Sequence, residues 1–328
     1  MHPAFSVIFL TTLIGAGQGL FLALMTVQAY SDIGALPIQA GSYYGSNSMI
    51  ALVLLAAGLL ASFFHLGHPE RAWRAAAMWR TSWLSREVIA LPVFMGLVFV
   101  YGLLHYFGWN PNVFGENAPP QGELTYLVGL VGVAAAFALF LCTGMIYGCL
   151  KFLQEWNTPL TPLNYTLFGI ASGFTLATAL AAYQAPELVK FYGGWAVAFT
   201  ILVFLTRATS LIRNARIKHR SSLRSAIGVR HAQIQQKSQG SMGGSFNTRE
   251  YFHGKTAAFL KSVKWIFLVL VFPVPIILLL SGLNAGSESG SAALLAAAFV
   301  VQYVGLIAER WFFFAQANHP QNLYYQTI

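Results

Sequence analysis

Read as a succession of apolar and polar positions, the chain divides into long oily runs separated by short polar links. Crossing a membrane takes roughly 20 apolar residues. Runs of that length fall at about 4–30, 48–66, 83–107, 124–150, 162–182, 193–212, 259–281 and 292–314. They lack the period-two alternation of membrane β-barrel strands. The pattern predicts an all-α polytopic membrane protein, one bundle of eight transmembrane helices over residues 1–328, with a single long connection at 213–258. The first run has no Lys or Arg before it, is too long for a signal core and meets no small-x-small cleavage site, so it reads as a retained helix. No internal repeat and no second domain are visible.

Within the runs, a few residues break the apolar pattern. Gly15 and Gly19 have the spacing that lets a neighbouring helix approach closely. Gln18 between them needs a polar partner, supplied either by packing or by a ligand cavity that it lines. Pro92 leaves the carbonyl of Val88 without its helical bond, one turn from Glu87. Pro273 and Pro275 are expected to kink the seventh helix.

Composition sharpens the class. Hydrophobic residues are 56% and charged residues 9% of the total, against about a quarter charged in soluble domains. Of the 19 Lys and Arg residues, Lys190 alone falls on one side; the rest lie with the termini and the links after helices 2, 4 and 6. That asymmetry predicts that both termini are cytoplasmic (N-in/C-in). The +9 net charge then serves topology and contact with anionic lipid headgroups, not nucleic acid. The long connection is basic at first and loosely polar later. It reads equally as a solvated loop touching headgroups and as a docking surface for a cytoplasmic partner.

Candidate chemistry is sparse. Cys142 and Cys149 are seven residues apart on helix 4, roughly 10.5 Å along the axis and beyond disulfide reach. There is no Cys-x-x-Cys for an iron–sulfur cluster. Of the eight histidines, only His65 and His105 fall near spans, at opposite membrane faces, so neither haem nor a metal site is expected. No nucleotide-phosphate loop, serine triad or paired-carboxylate site is present.

The stretch 64–87, FHLGHPERAWRAAAMWRTSWLSRE, stands apart. His65 closes the second run and Glu87 opens the third, joined by a short basic hairpin. Imidazole titrates near neutral pH and can hydrogen-bond a carbonyl. A carboxyl group beside it can pass protons once its surroundings tune it. Ionisable groups at membrane depth are expensive, which favours function; complementing the two helix dipoles is the simpler reading. Arg71 and Arg74 sit in an interfacial segment with Trp73 and Trp79, either as surface anchors or in contact with a ligand or Glu87.

Four segments together resemble one family: HPAFSVIFLTTLIGAGQGLFLAL near the N-terminus, the 64–87 hairpin, FNTREYFHG at 246–254 and AERWFFFAQANHPQNLYYQ near the C-terminus. They are similar to the membrane anchor subunits of dimethyl-sulfoxide-reductase-type molybdoenzymes, nearest to the sulfite dehydrogenase (sulfite:quinone oxidoreductase) branch. The resemblance implies a heterotrimer, with a molybdopterin catalytic subunit and an iron–sulfur subunit as partners. This protein would supply the anchor and the site for quinone or quinol, with no haem, iron–sulfur cluster or molybdopterin of its own. The family's quinone-site residues fall on His65, Glu87 and Arg71. His65 would bond the headgroup, Glu87 deliver protons, and Arg71 hold developing negative charge or tune Glu87. Arg74 and Gln18 are further candidates, and helix 1 is expected to help close the pocket. Three alternatives remain open: the anchor of a reductase running from quinol to an acceptor, a tether with no quinone site, and a transporter.

Overall fold

Among the described residues, nine α-helices account for the apolar runs: α1 (Phe5–Asp32), α2 (Gly41–Phe63), α3 (Trp83–Phe107), α4 (Leu124–Gly148), α5 (Leu160–Gln184), α6 (Val189–Ala215), α7 (Ala257–Val271), α8 (Pro273–Leu283) and α9 (Glu288–Ala315). Together α7 and α8 form the seventh of eight membrane-length spans. The structure, a computed structural model, describes residues 1–115, 117–218, 222, 224–225, 228–231, 233–234 and 253–320. Most of the 213–258 connection lies outside the described residues, as do 246–252 of the FNTREYFHG segment and everything beyond 320. No strand occurs among the described residues; one isolated bridge, Asn112 to Glu123, closes the link between α3 and α4.

Local chemistry explains the boundaries. Ser82 caps α3, its Oγ accepting from the Ser85 backbone N–H at 3.3 Å, as N-cap serines do. Gly108 ends the helix in the left-handed conformation, φ 65°, which costs little without a Cβ. The second helix begins seven residues before the expected 48. Its first two turns look polar in sequence, but Tyr43, Tyr44 and Asn47 are buried. Tyr43 donates to the Tyr192 hydroxyl at 3.1 Å, and Asn47 Nδ2 donates to Gln184 Oε1 at 2.8 Å. Polarity here faces the bundle instead of marking a loop.

At the other end α2 stops at Phe63, so His65 lies in the turn beyond the helix and not in its last turn. In the seventh span, the expected kink is a full break at Phe272. Pro273 and Pro275 have no N–H to offer the carbonyls of Val269 and Val271, so the first segment ends and a second begins with Pro273 in its first turn.

The bundle is built around α1 and α5, which are buried over most of their length, whereas the other spans each keep a lipid-facing side. The two central helices cross through glycines. A Cβ on Gly19 would collide with the Gly169 carbonyl, and one on Gly173 with the Gly19 backbone. Close approach of α1 to a neighbour is therefore observed where the Gly15–Gly19 spacing placed it.

Side-chain and terminal bonds collect the helix ends into two faces. At one end, the Met1 amine donates to the Ala317 carbonyl (2.9 Å), Trp156 Nε1 to Phe313 (2.9 Å) and Arg213 Nη1 to Gln154 (3.1 Å). This is the basic face. It also carries an amphipathic 3-10 helix, Pro69–Met78, packed against α3. The far face holds the Tyr43–Tyr192 and Asn47–Gln184 pairs, with Tyr101 donating to Gln28 Oε1 at 2.8 Å.

Candidate functional site

Glu87 owes its position to the inward stripe of α3. Residues Glu87, Leu91, Phe94, Val98 and Tyr101 are buried at intervals of three and four, the spacing of one helix face. The carboxylate thus begins an otherwise apolar seam, only 8% exposed. Thr143 on α4 donates to its Oε1 at 2.5 Å. The other oxygen has no hydrogen bond to any described residue.

The other expected site residues are disposed differently. The His65 side chain is exposed and makes no hydrogen bond among the described residues. What burial it has lowers its pKa below the usual 6.5. Arg71 is exposed, its Nε 3.6 Å from Glu70 Oε1, and His68 Nδ1 is 3.0 Å from the same oxygen. Arg74 lies over the Trp73 ring at 5.5 Å. Arg86 donates to the carbonyls of Trp79 (2.9 Å) and Arg80 (2.8 Å), tying the 3-10 helix to α3.

Gln18 is buried, and its Nε2 donates to the Ala136 carbonyl at 2.9 Å. Ala136 is seven residues from Thr143, roughly 10.5 Å toward the bundle centre along α4. The structure therefore joins Glu87 to Thr143. His65, Arg71 and Arg74 share its membrane end without a bond or ion pair to it among the described residues, and Gln18 is occupied by helix packing.

A second polar group was not singled out in the sequence. On α6 and α9, Arg207 Nη2 lies 2.8 Å from Glu309 Oε1, and Arg310 Nη1 lies 3.2 Å from Glu309 Oε2. All three are buried. The Arg310 guanidinium sits 3.6 Å from the centre of the Tyr165 ring on α5, and Tyr165 stacks on Tyr147 of α4 with centroids 5.6 Å apart and planes 19° off parallel. Tyr147 is one helical turn beyond Thr143.

A small polar crevice of about 10 Å³ opens among Asn164, Tyr165, Arg207, Asn214, Glu309 and Arg310. The signal for this cluster was present: a Glu-Arg pair and a lone Arg inside apolar runs are expensive placements. Counted only as markers of the basic side, Arg207 and Arg310 did not register as buried partners of Glu309.

Eight apolar spans with paired charges buried at one end define a multi-pass membrane protein with a polar site set at one membrane face. Residues 1–316 match the DMSO reductase anchor subunit (DmsC) family, and the protein belongs to that family. It is 57% identical to the C subunit of the sulfite dehydrogenase of Allochromatium vinosum over 328 residues, 100% of both sequences. It is 26% identical over 170 residues to the C component of the anaerobic dimethyl sulfoxide reductase of Haemophilus influenzae, which is 48% of this sequence and 57% of that one.

Proposed function

We propose that this protein is the quinone-reactive membrane anchor of a sulfite dehydrogenase-type complex, handing electrons from an iron–sulfur subunit to quinone. The observation that carries the reading is Glu87, a buried carboxylate with one oxygen fixed by Thr143 and the other without a hydrogen-bond partner among the described residues. It lies at the same membrane end as His65 and the basic face. Full-length similarity to part of a sulfite dehydrogenase, against partial similarity to part of a dimethyl sulfoxide reductase, favours flow toward quinone over the reverse.

Bound at this end, a quinone would accept two electrons from the iron–sulfur partner. Thr143 holds the Glu87 carboxyl in one orientation, and Glu87 supplies protons through its other oxygen. Neutral His65, on the exposed turn, offers an N–H to a carbonyl oxygen, and Arg71 supplies nearby positive charge. Excess Lys and Arg on this face supports a cytoplasmic orientation in a bacterial inner membrane, where an iron–sulfur and a molybdopterin subunit would complete a heterotrimer.

The separation of His65 from Glu87 favours one competing reading, a tether that binds no quinone. Purifying the assembled complex with E87Q or H65A and measuring quinone-linked turnover separates the two. A loss on the order of 100-fold in E87Q is expected from removing a general acid. Wild-type turnover in both variants, with no quenching of a fluorescent quinone analogue, would leave the tether.

A further inference from the structure

We propose that the Arg207–Glu309–Arg310 cluster, with Tyr165 and Tyr147, is the proton entry path that resupplies Glu87 from the basic face. The inference rests on Glu87 acting as the proton donor and extends that site inward from the aqueous side. The geometry places polar side chains one after another between the basic face and Glu87, joined by ion pairs, ring contacts and hydrogen bonds. Arg207, Ser210 and Asn214 lie three and four residues apart, all on one side of α6 and running to its end at the basic face. Thr206 donates to Asn164 Oδ1 at 2.7 Å and Asn164 Nδ2 donates to Ser210 Oγ at 2.9 Å, continuing the polar wall onto α5.

Glu309 follows between its two arginines, then Tyr165 beneath Arg310, Tyr147 stacked upon Tyr165, and Thr143 bonded to Glu87. Five helices contribute to this succession, α3 to α6 and α9, and apolar side chains surround it.

Two features mark it as wet and not merely structural. Arg207 Nε and Tyr165 Oη are both buried without a hydrogen bond among the described residues. Such atoms are ordinarily satisfied by ordered water, and the crevice they line has room for about one molecule. Buried ion pairs also contribute little net stability compared with apolar side chains of the same volume, so three charges held here suggest a second use. In each turnover two electrons come from the iron–sulfur partner and two protons from Glu87. Each proton given up is replaced through the hydroxyls of Tyr147 and Tyr165, each of which takes one proton as it releases one. Crevice water supplies these and is recharged from the aqueous phase.

The test uses the assembled complex with Y165F, which keeps the ring beneath Arg310, and E309Q. Three readouts are taken: quinone-linked turnover in H₂O and D₂O, binding of a fluorescent quinone analogue, and deuterium exchange of the Glu87 carboxyl. Exchange is followed by the infrared band that E87Q removes. The path predicts turnover about tenfold slower, a larger solvent isotope effect, slower Glu87 exchange and unchanged analogue binding. Wild-type Glu87 exchange in Y165F overturns it, whatever happens to turnover. Should E309Q fail to assemble, Y147F takes its place with the same expectations. Wild-type turnover in E87Q would remove the donor role of Glu87 itself, which the exchange measurement does not depend on.

Discussion

Thr143 and Glu87 are joined across the α3–α4 interface by a 2.5 Å hydrogen bond in which the hydroxyl donates. Both residues are buried. Thr143→Val keeps the shape and removes the donor, leaving Glu87 Oε1 without a partner at a cost of about 1–3 kcal/mol. Thr143→Ser restores a hydroxyl. Thermal unfolding in detergent should therefore place T143V below both T143S and wild type. Quinone-linked turnover should fall with T143V as Glu87 loses its orientation. Equal midpoints and rates in all three would show that the bond neither stabilises nor orients.

Glu309 holds two guanidiniums in a buried site, with Arg207 Nη2 at 2.8 Å and Arg310 Nη1 at 3.2 Å. Glu309→Ala leaves both cations uncompensated and should destabilise the protein by about 3–5 kcal/mol. Replacing all three at once with Met, Leu and Met removes the charges together and should recover most of that loss. Thermal unfolding of the single and triple variants checks the comparison. A triple variant no more stable than E309A would mean that the cluster holds the helices by more than charge balance.

The α1–α5 crossing depends on Gly19 and Gly173, where an added Cβ would run into the backbone of the facing helix. Gly19→Ala or Gly173→Ala should separate the two central helices and cost about 1–3 kcal/mol as overpacking. Gly96 on α3 has open space where its Cβ would be, so Gly96→Ala is the control and should match wild type. Thermal midpoints of the three variants test the contrast.

Where the sequence made the fold legible, a local device stood at each boundary. Ser82 and Gly108 bracket α3, and the expected limits of that helix agree with the observed ones. The start of α2 was hidden because Tyr43, Tyr44 and Asn47 are polar residues turned inward, and hydropathy reads such residues as a loop. The break at Phe272 exceeded the kink expected from Pro273 and Pro275: with both N–H groups missing two residues apart, the helix ends at Val271 and restarts at Pro273. The candidate site was half visible. Glu87 was found as a carboxylate opening an apolar run, but Thr143, its bonded partner, is 56 residues away in sequence, beyond any spacing argument. Glu309 and its arginines were obscured for the opposite reason: a charge near a helix end looks the same in sequence whether it reaches water or a buried partner.

His65 allows a pH test outside the spans. Partial burial lowers its pKa from 6.5, so the neutral imidazole dominates at and above that pH, and protonation begins only as pH falls further. Any folding contribution from the neutral ring is likewise present above 6.5 and lost on acidification through the lowered pKa. Quinone-linked turnover should therefore be insensitive to His65 from pH 8 to 6.5 and show an acid limb below. H65Q, which can still donate but does not titrate, should lose that limb. An acid limb of the same midpoint in H65Q would assign it to another group.

The basic face offers a shallow groove of about 450 Å³, lined by Lys151, Gln154, Asn157, Arg213, Ile217 and Lys218. Arg213 is committed to the fold, donating to the carbonyls of Gln154 and Asn157. Lys151 and Lys218 are exposed charges beside it. An iron–sulfur partner docking here would be drawn by long-range attraction, which speeds encounter more than it tightens contact. The double reversal K151E/K218E should slow association with the partner on the order of tenfold at low salt, and the difference should shrink as added salt screens both proteins. Stopped-flow association of the purified anchor with its partner across ionic strengths measures both effects. Unchanged rates at low salt would place the docking surface elsewhere on this face.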